Sequence, residues 1–293
     1  MTTSYRRFLV TVGGGAADPA VLATALSLAR QFEAALTAIH VREAMHAHAM
    51  LSPEAAGIAM AQIRELEEEL VERAKARVQE AAQALGREIA LWVKSGDFAS
   101  EVARAALTAD LVITGQHNPD TGSQRTLVGQ ERLVLASSAP IYFVPFVARA
   151  EPSSVRPWRR VLVAWQSTRE AALALRCALP LLQNATEVEV VQIGSPESGL
   201  EAALTEVARY LEAHRVAART RVIPHRGRSA LRWLAGDPVD ASAGELLLSH
   251  AAEIDADGLV MGGYSHPRIW EVALGGVTQT VLGSMTLPVL MMH

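Results

Sequence analysis

Asp257-Gly258-Leu259-Val260-Met261-Gly262-Gly263-Tyr264-Ser265 opens the stretch whose reading decides the fold, and Gly275-Gly276-Val277-Thr278 closes the loop that follows. A short apolar run, Gly258 to Met261, ends in glycines. A polar and aromatic loop then leads to a second glycine pair and a short helical segment. Another apolar run, Val289 to Met292, comes next. Strand, glycine loop, helix N-terminus and strand is an order that holds phosphate. Free backbone N–H groups at a helix start attract an anion, and glycines let it approach without a lysine.

The same order is written twice. Ala109-Asp110-Leu111-Val112-Ile113-Thr114-Gly115 resembles Ala256-Asp257-Gly258-Leu259-Val260-Met261-Gly262. Ala139-Pro140-Ile141-Tyr142-Phe143-Val144 resembles Leu287-Pro288-Val289-Leu290-Met291-Met292, and Val10-Thr11-Val12-Gly13 matches Val163-Ala164-Trp165-Gln166. A period of about 150 residues is a domain duplication, not a solenoid, whose repeats run at about 20 to 50. Polar and proline-rich chain between Phe146 and Arg159 marks the boundary, giving domains over 1–146 and 159–293.

Five apolar runs alternate with helical patterns in each half. They are Phe8–Val12, Leu36–Val41, Ile89–Val93, Leu111–Thr114 and Ile141–Val144, then Arg160–Ala164, Val188–Ile193, Arg219–Ile223, Gly258–Met261 and Val289–Met292. Nearly continuous apolar strands are buried on both faces of a parallel sheet, and helices supply the right-handed crossovers. The expected class is α/β: two tandem doubly wound domains, each with a five-stranded parallel sheet flanked by helices.

Composition narrows the function. Hydrophobic content of 50% and charged content of 20% fit a globular chain, and no apolar stretch approaches a bilayer span. The N-terminus runs straight into a strand without a signal-peptide pattern, so a cytoplasmic location is expected. A net charge of −4 without a basic tract argues against nucleic-acid binding. The single cysteine, Cys177, excludes an intrachain disulfide and is read as a small core residue. Lysine occurs only at Lys75 and Lys94, so the second half has no P-loop lysine.

The chain resembles a tandem universal stress protein, two domains of that family fused in one polypeptide. In ATP-binding members the loop after the fourth strand reads Gly, two residues, Gly, nine residues, Gly, then Ser or Thr. Here Gly262 is followed by two residues, Ser265, nine residues, Gly275 and Gly276. The spacing is kept, while Ser265 replaces a glycine and Gly276 replaces the hydroxyl residue. The resemblance implies back-to-back pairing of the domains, so one chain mimics the family dimer or forms a dimer of tandem chains. It also implies a non-enzymatic sensor that binds ATP or a related adenine nucleotide in the second half.

On that resemblance the site comprises Ala164, Gln166, Ile193, Met261, Gly262, Ser265, Gly275, Gly276 and Val277. Gln166 stands where the family has an aspartate after the first strand, and Ala164 ends that strand. Ile193 matches the position whose backbone meets adenine, and Met261 an apolar residue near the base. For Ile193 and Met261, plain core packing is the competing reading. Gly276 and Val277 would offer backbone N–H groups. Losing the hydroxyl at Gly276 removes a hydrogen bond worth about 0.5–1.5 kcal/mol net.

The first half is expected to be the degenerate partner. Gly13 takes the aspartate position, Gly13-Gly14-Gly15 reads better as a turn than as an anion site, and Gln130-Glu131-Arg132 is aligned with the glycine pair. Other features carry less. His46 and His48, near His40 and Glu43, read as a solvated loop rather than a zinc site. The mixed charges of the Ser52–Leu85 helix read as an exposed face. An insertion over residues 225–243, with Arg226, Arg228 and Arg232 around Trp233, is either a lid or partner loop or a surface elaboration. Asp97, Asp110, Asp237 and Asp257 are read as helix caps. No nucleophile–base pair or metalloprotease motif occurs. The alternatives to a nucleotide sensor are a ligand-free stress-related interaction scaffold, with an unidentified protein partner, and a slow nucleotide hydrolase.

Overall fold

Ten strands and eight helices alternate along the described residues of the chain. The structure is a computed structural model that describes residues 4–43, 53–117, 127–146, 158–194, 200–224, 241–264 and 276–293. The first half runs β1 (Arg7–Thr11), α1 (Asp18–Phe32), β2 (Ala35–Arg42), α2 (Pro53–Leu85), β3 (Ala90–Ser95), α3 (Phe98–Ala106), β4 (Leu111–Gly115), α4 (Leu127–Ala136) and β5 (Ile141–Val144). The second runs β6 (Arg160–Ala164), α5 (Arg169–Leu182), β7 (Glu187–Gly194), α6 (Leu200–Ala213), β8 (Ala218–Pro224), α7 (Ala241–Glu253), β9 (Gly258–Gly262), α8 (Gly276–Ser284) and β10 (Val289–Met292).

All ten strands belong to one sheet, ordered β3-β2-β1-β4-β5-β10-β9-β6-β7-β8. Pairing is parallel within each half and antiparallel only at the join, where Ile141, Tyr142 and Phe143 face Met291, Leu290 and Val289. This corrects the back-to-back expectation: the halves meet edge to edge. The last strand of each half is short and apolar, and pairing the two removes two open edges at once.

Side chains alternate across the sheet with the two-residue strand period. Val161 and Val163 enter one core and Leu162 the other. The first core is closed by α1, α2, α5 and α6 through residues such as Leu28, Val78, Leu175 and Leu211. The second is closed by α3, α4, α7 and α8 through Val102, Leu133, Leu247 and Val281. Both cores run continuously through the two halves, so burial that stabilises one half also holds the other.

Polar contacts fix the register. Asp110 accepts the backbone N–H groups of Arg6 and Arg7 at 2.7 and 2.8 Å, and Asp257 those of Arg159 and Arg160 at 2.9 and 3.0 Å. These two aspartates therefore pin the start of a neighbouring strand and do not cap helices. Asp97 does cap α3, accepting from the Ser100 N–H at 2.9 Å, while Arg132 from α4 pairs with it at 2.7 Å. Asp237 lies outside the described residues. Cys177 is partly buried, and desolvation pushes its thiol pKa up, which suits an unreactive packing residue.

The join has its own bonds. The buried Gln116 amide donates to Leu282 O at 2.8 Å and accepts from the Phe146 N–H at 3.1 Å. Tyr142 of the first half stacks on Trp158 of the second, with centroids 5.2 Å apart. Tyr5 Oη donates to Cys177 O across the same boundary at 2.5 Å. Among the described residues no helix is long and apolar enough to cross a membrane. Replacing Gln116 with Leu should leave the buried Leu282 carbonyl and the part-buried Phe146 N–H unpaired at the join. The expected loss is about 1–3 kcal/mol in urea unfolding, with both halves destabilised together.

Candidate functional site

In each half, consecutive strands run outward in opposite directions from one central pair. That pair is β1 and β4 in the first half and β6 and β9 in the second. Such switch points leave a crevice beyond the carboxyl ends of the strands, where doubly wound proteins place ligands. The second-half crevice collects most of the residues expected from the sequence. Ala164 and Met261 are register partners on β6 and β9, and Met292 pairs with Gly262. Ala164, Ile193, Ile223, Tyr264 and Val277 are partly buried and pack on the core that contains Met261. An apolar floor of this kind suits a flat base, although each of these side chains also packs as core.

The glycines act at close quarters. A Cβ on Gly262 would lie 2.6 Å from Ala171 N and 2.8 Å from the Glu170 carbonyl carbon, so only glycine lets β9 end against the start of α5. A Cβ on Gly263 would lie 2.6 Å from Val134 Cγ1 of the first half. Gly263 also donates to Met292 O at 2.9 Å, and its carbonyl meets His293 Nδ1 at 3.0 Å. The root of the loop is thus held by β10 and by α4 of the other half.

Tyr264 follows in the left-handed region, with φ of 52°, a costly conformation for a non-glycine residue. Its N–H points to Thr278 Oγ1 at 3.5 Å, linking the loop root to the first turn of α8. Burial, and the neighbouring Glu131 carboxylate, raise its hydroxyl pKa, so the phenol stays a neutral donor at neutral pH. Gly276, Val277 and Thr278 begin α8, and the N–H groups of a first turn have no intrahelical acceptors. Gln166 is exposed just beyond β6. Ser265 and Gly275 lie outside the described residues, as do the insertion at 225–240, His46 and His48. Ile223, Tyr264 and Thr278 were missed by the sequence reading. Only the positive φ at Tyr264 sets that residue apart, and a backbone angle leaves no mark in composition.

The first-half crevice is built differently. Thr11 Oγ1 donates to Thr114 Oγ1 at 2.8 Å, where the second half has Ala164 and Met261. Asp18, 2% exposed, accepts from the Gly13 and Gly14 N–H groups at 2.9 and 2.7 Å. Arg77 from α2 pairs with the same carboxylate at 3.1 Å and donates to the Gly15 carbonyl. The glycine turn therefore carries its own anion. Gly14 has φ of 75°, and a Cβ there would fall 2.3 Å from Leu70 O. His40 is buried with Nδ1 3.0 Å from Val12 O, and Glu43 accepts from the Phe98 N–H at 3.3 Å, so each has a structural task.

One alignment needs correction. Ser137 N–H bonds Leu133 O at the end of α4, and Met285 N–H bonds Val281 O at the end of α8. That matching puts Gln130 opposite Thr278, so Gln130-Glu131-Arg132 lies further into its helix than the glycine pair does. Val128-Gly129 is the counterpart of Gly276-Val277. Gln130 Nε2 then reaches back to Gly115 O at 2.6 Å and closes the loop root from inside.

Fold and crevice together define a duplicated doubly wound α/β protein with one switch-point cleft per half. The model of the universal stress protein family matches the chain twice, over residues 4–145 and 157–293, and the chain belongs to that family. Among solved structures it is similar to a universal stress protein from Archaeoglobus fulgidus, with a TM-score of 0.71 and 16% identity over 99% of this chain and 96% of the other. It is also similar to a structure titled a putative universal stress protein from Pseudomonas aeruginosa, with a TM-score of 0.54 and 17% identity over 98% and 93% of the two chains. At these identities the likeness speaks for the fold. No curated protein matches the chain.

Two substitutions test the glycine and carboxylate roles by urea unfolding. Gly262→Ala should cost about 1–3 kcal/mol from the forced contact with α5, whereas Gly283→Ala, with open space around it, should be neutral or stabilise by up to about 1 kcal/mol. Asp18→Ala should cost about 1–3 kcal/mol, because two N–H groups and Arg77 lose their acceptor.

Proposed function

We propose that the protein is a non-enzymatic adenine-nucleotide sensor, with ATP or a related nucleotide bound in the second half. The observation that carries this reading is the crevice between β6 and β9. It joins an apolar floor, the close-packed glycine Gly262, and a helix start at Gly276. Family membership and the loop spacing from Gly262 to Gly276 support the same assignment. The base would lie over Ala164, Ile193 and Met261, with Gln166 at the rim. Phosphates would meet the loop and the N–H groups of Gly276 and Val277, where the helix dipole favours negative charge. Ser265 and Gly275 belong to the proposed loop by spacing.

The consequence is a population shift. Nucleotide would stabilise one arrangement of the loop, whose root touches Val134 and Glu131 of the first half, and so alter a surface read by a partner protein. The protein is placed in the cytoplasm on this reading, and the domains are assigned to 1–146 and 159–293. The first half, with Asp18 seated on its glycine turn, is proposed to take no nucleotide.

The test begins with mass spectrometry of small molecules released from the purified, denatured protein, followed by ATP titration. Co-purified or saturably titrating adenine nucleotide is expected. Gly276→Glu should weaken binding by at least about tenfold. A carboxylate at a helix N-terminus repels phosphate but favours the helix, so the melting temperature should hold. No nucleotide released and no binding at millimolar ATP would overturn the sensor reading and leave an interaction scaffold. Phosphate release from bound ATP would overturn the non-enzymatic part.

A further inference from the structure

An open groove of about 640 Å³ lies near the amino ends of the strands, opposite both crevices, and is lined by both halves. The first half contributes Arg6, ahead of β1, and Arg30 with Glu33 at the end of α1. The second contributes Gln183, at the end of α5, and Arg215, after α6. The volume falls in the range of small-molecule sites, and the lining is mostly polar.

The charge in this groove is not used up by the fold. Helix C-termini attract arginines, and three helices end here, yet several carbonyls of their last turns already have backbone donors. Ala29 O and Arg30 O accept from the Ala34 and Glu33 N–H groups, and Leu179 O and Leu181 O from Gln183 and Asn184. Leu211 O and Glu212 O accept from Val216 and Arg215. Side-chain amides cover two more, with Gln183 Nε2 on His214 O at 3.1 Å and Asn184 Nδ2 on Pro180 O at 2.8 Å. Arg30 is tied to Ala84 O of α2. Arg6 and Arg215 have neither a carboxylate nor a carbonyl partner for their guanidinium groups among the described residues. Glu33 is the one acidic side chain in the lining, against three arginines.

Arg215 sits in the left-handed conformation, with φ of 63°, as Glu33 and Asp255 do after α1 and α7, and it lines the groove.

We infer that this groove binds a small, multiply charged oxyanion of the condensed-phosphate type, held by the guanidinium groups of Arg6 and Arg215 and bridging the two halves. Guanidinium forks match phosphate oxygens in geometry and charge. The site is separate from the nucleotide crevice and does not depend on it.

The test is calorimetric titration of the full chain with tripolyphosphate, in wild type, in the double variant Arg6→Ser/Arg215→Gly, and in Gly276→Glu. The double variant keeps the fold measurable, because Arg6 is exposed and glycine prefers the backbone angle at position 215. Saturable binding that weakens at least about tenfold in the double variant, is unchanged in Gly276→Glu, and falls as salt rises is expected. No saturable binding at millimolar tripolyphosphate would overturn the inference. So would equal affinity in the double variant, or loss in Gly276→Glu instead.

Discussion

The antiparallel pairing of β5 with β10 is the contact on which the rest of the molecule depends. Without it each half would be a five-stranded sheet with its last strand open to solvent and an apolar row unpaired. With it, two sheets become one and two cores run the length of the chain. The helices beside the join then have to meet, and α4 packs on α8. Contacts at matching positions recur on the two sides, one a hydrogen bond and one close packing: Gln116 reaches Leu282 O, and Gly263 fits against Val134. A duplicated chain closes on itself in this way because each half carries the same edge.

That closure brings the two crevices under different constraints. In the first half, a histidine and a carboxylate satisfy backbone groups beyond the carboxyl end of β1, and two hydroxyls bond each other across β1 and β4. In the second, the positions of Thr11 and Thr114 are held by Ala164 and Met261. Duplication supplies two equal scaffolds. A few polar substitutions then decide which scaffold fills its own cleft. The seam adds a route between them, since the root of the second-half loop is gripped by α4 of the first half.

Much of the fold was legible in residue order. Strands buried on both faces must be apolar throughout, so the ten runs stood out, and the aspartates at 110 and 257 marked equivalent points in the repeat. Their task was misread: a carboxylate before a strand looks like a cap until the neighbouring strand is seen to donate to it. The alignment of α4 with α8 slipped for a related reason. Glycine pairs attract attention, whereas the helix ends that fix the true register carry ordinary residues.

The sequence by itself determined the duplication and the doubly wound class. Period, apolar runs and glycine spacing are local properties that a chain cannot hide. Tertiary structure alone decided that the halves join by their edges, that Gly262 is demanded by α5, that Arg77 of α2 pairs with Asp18, and that Arg6 and Arg215 share a groove. Each of these depends on atoms far apart in sequence approaching within a few ångströms, and such distances are set by packing of the whole sheet.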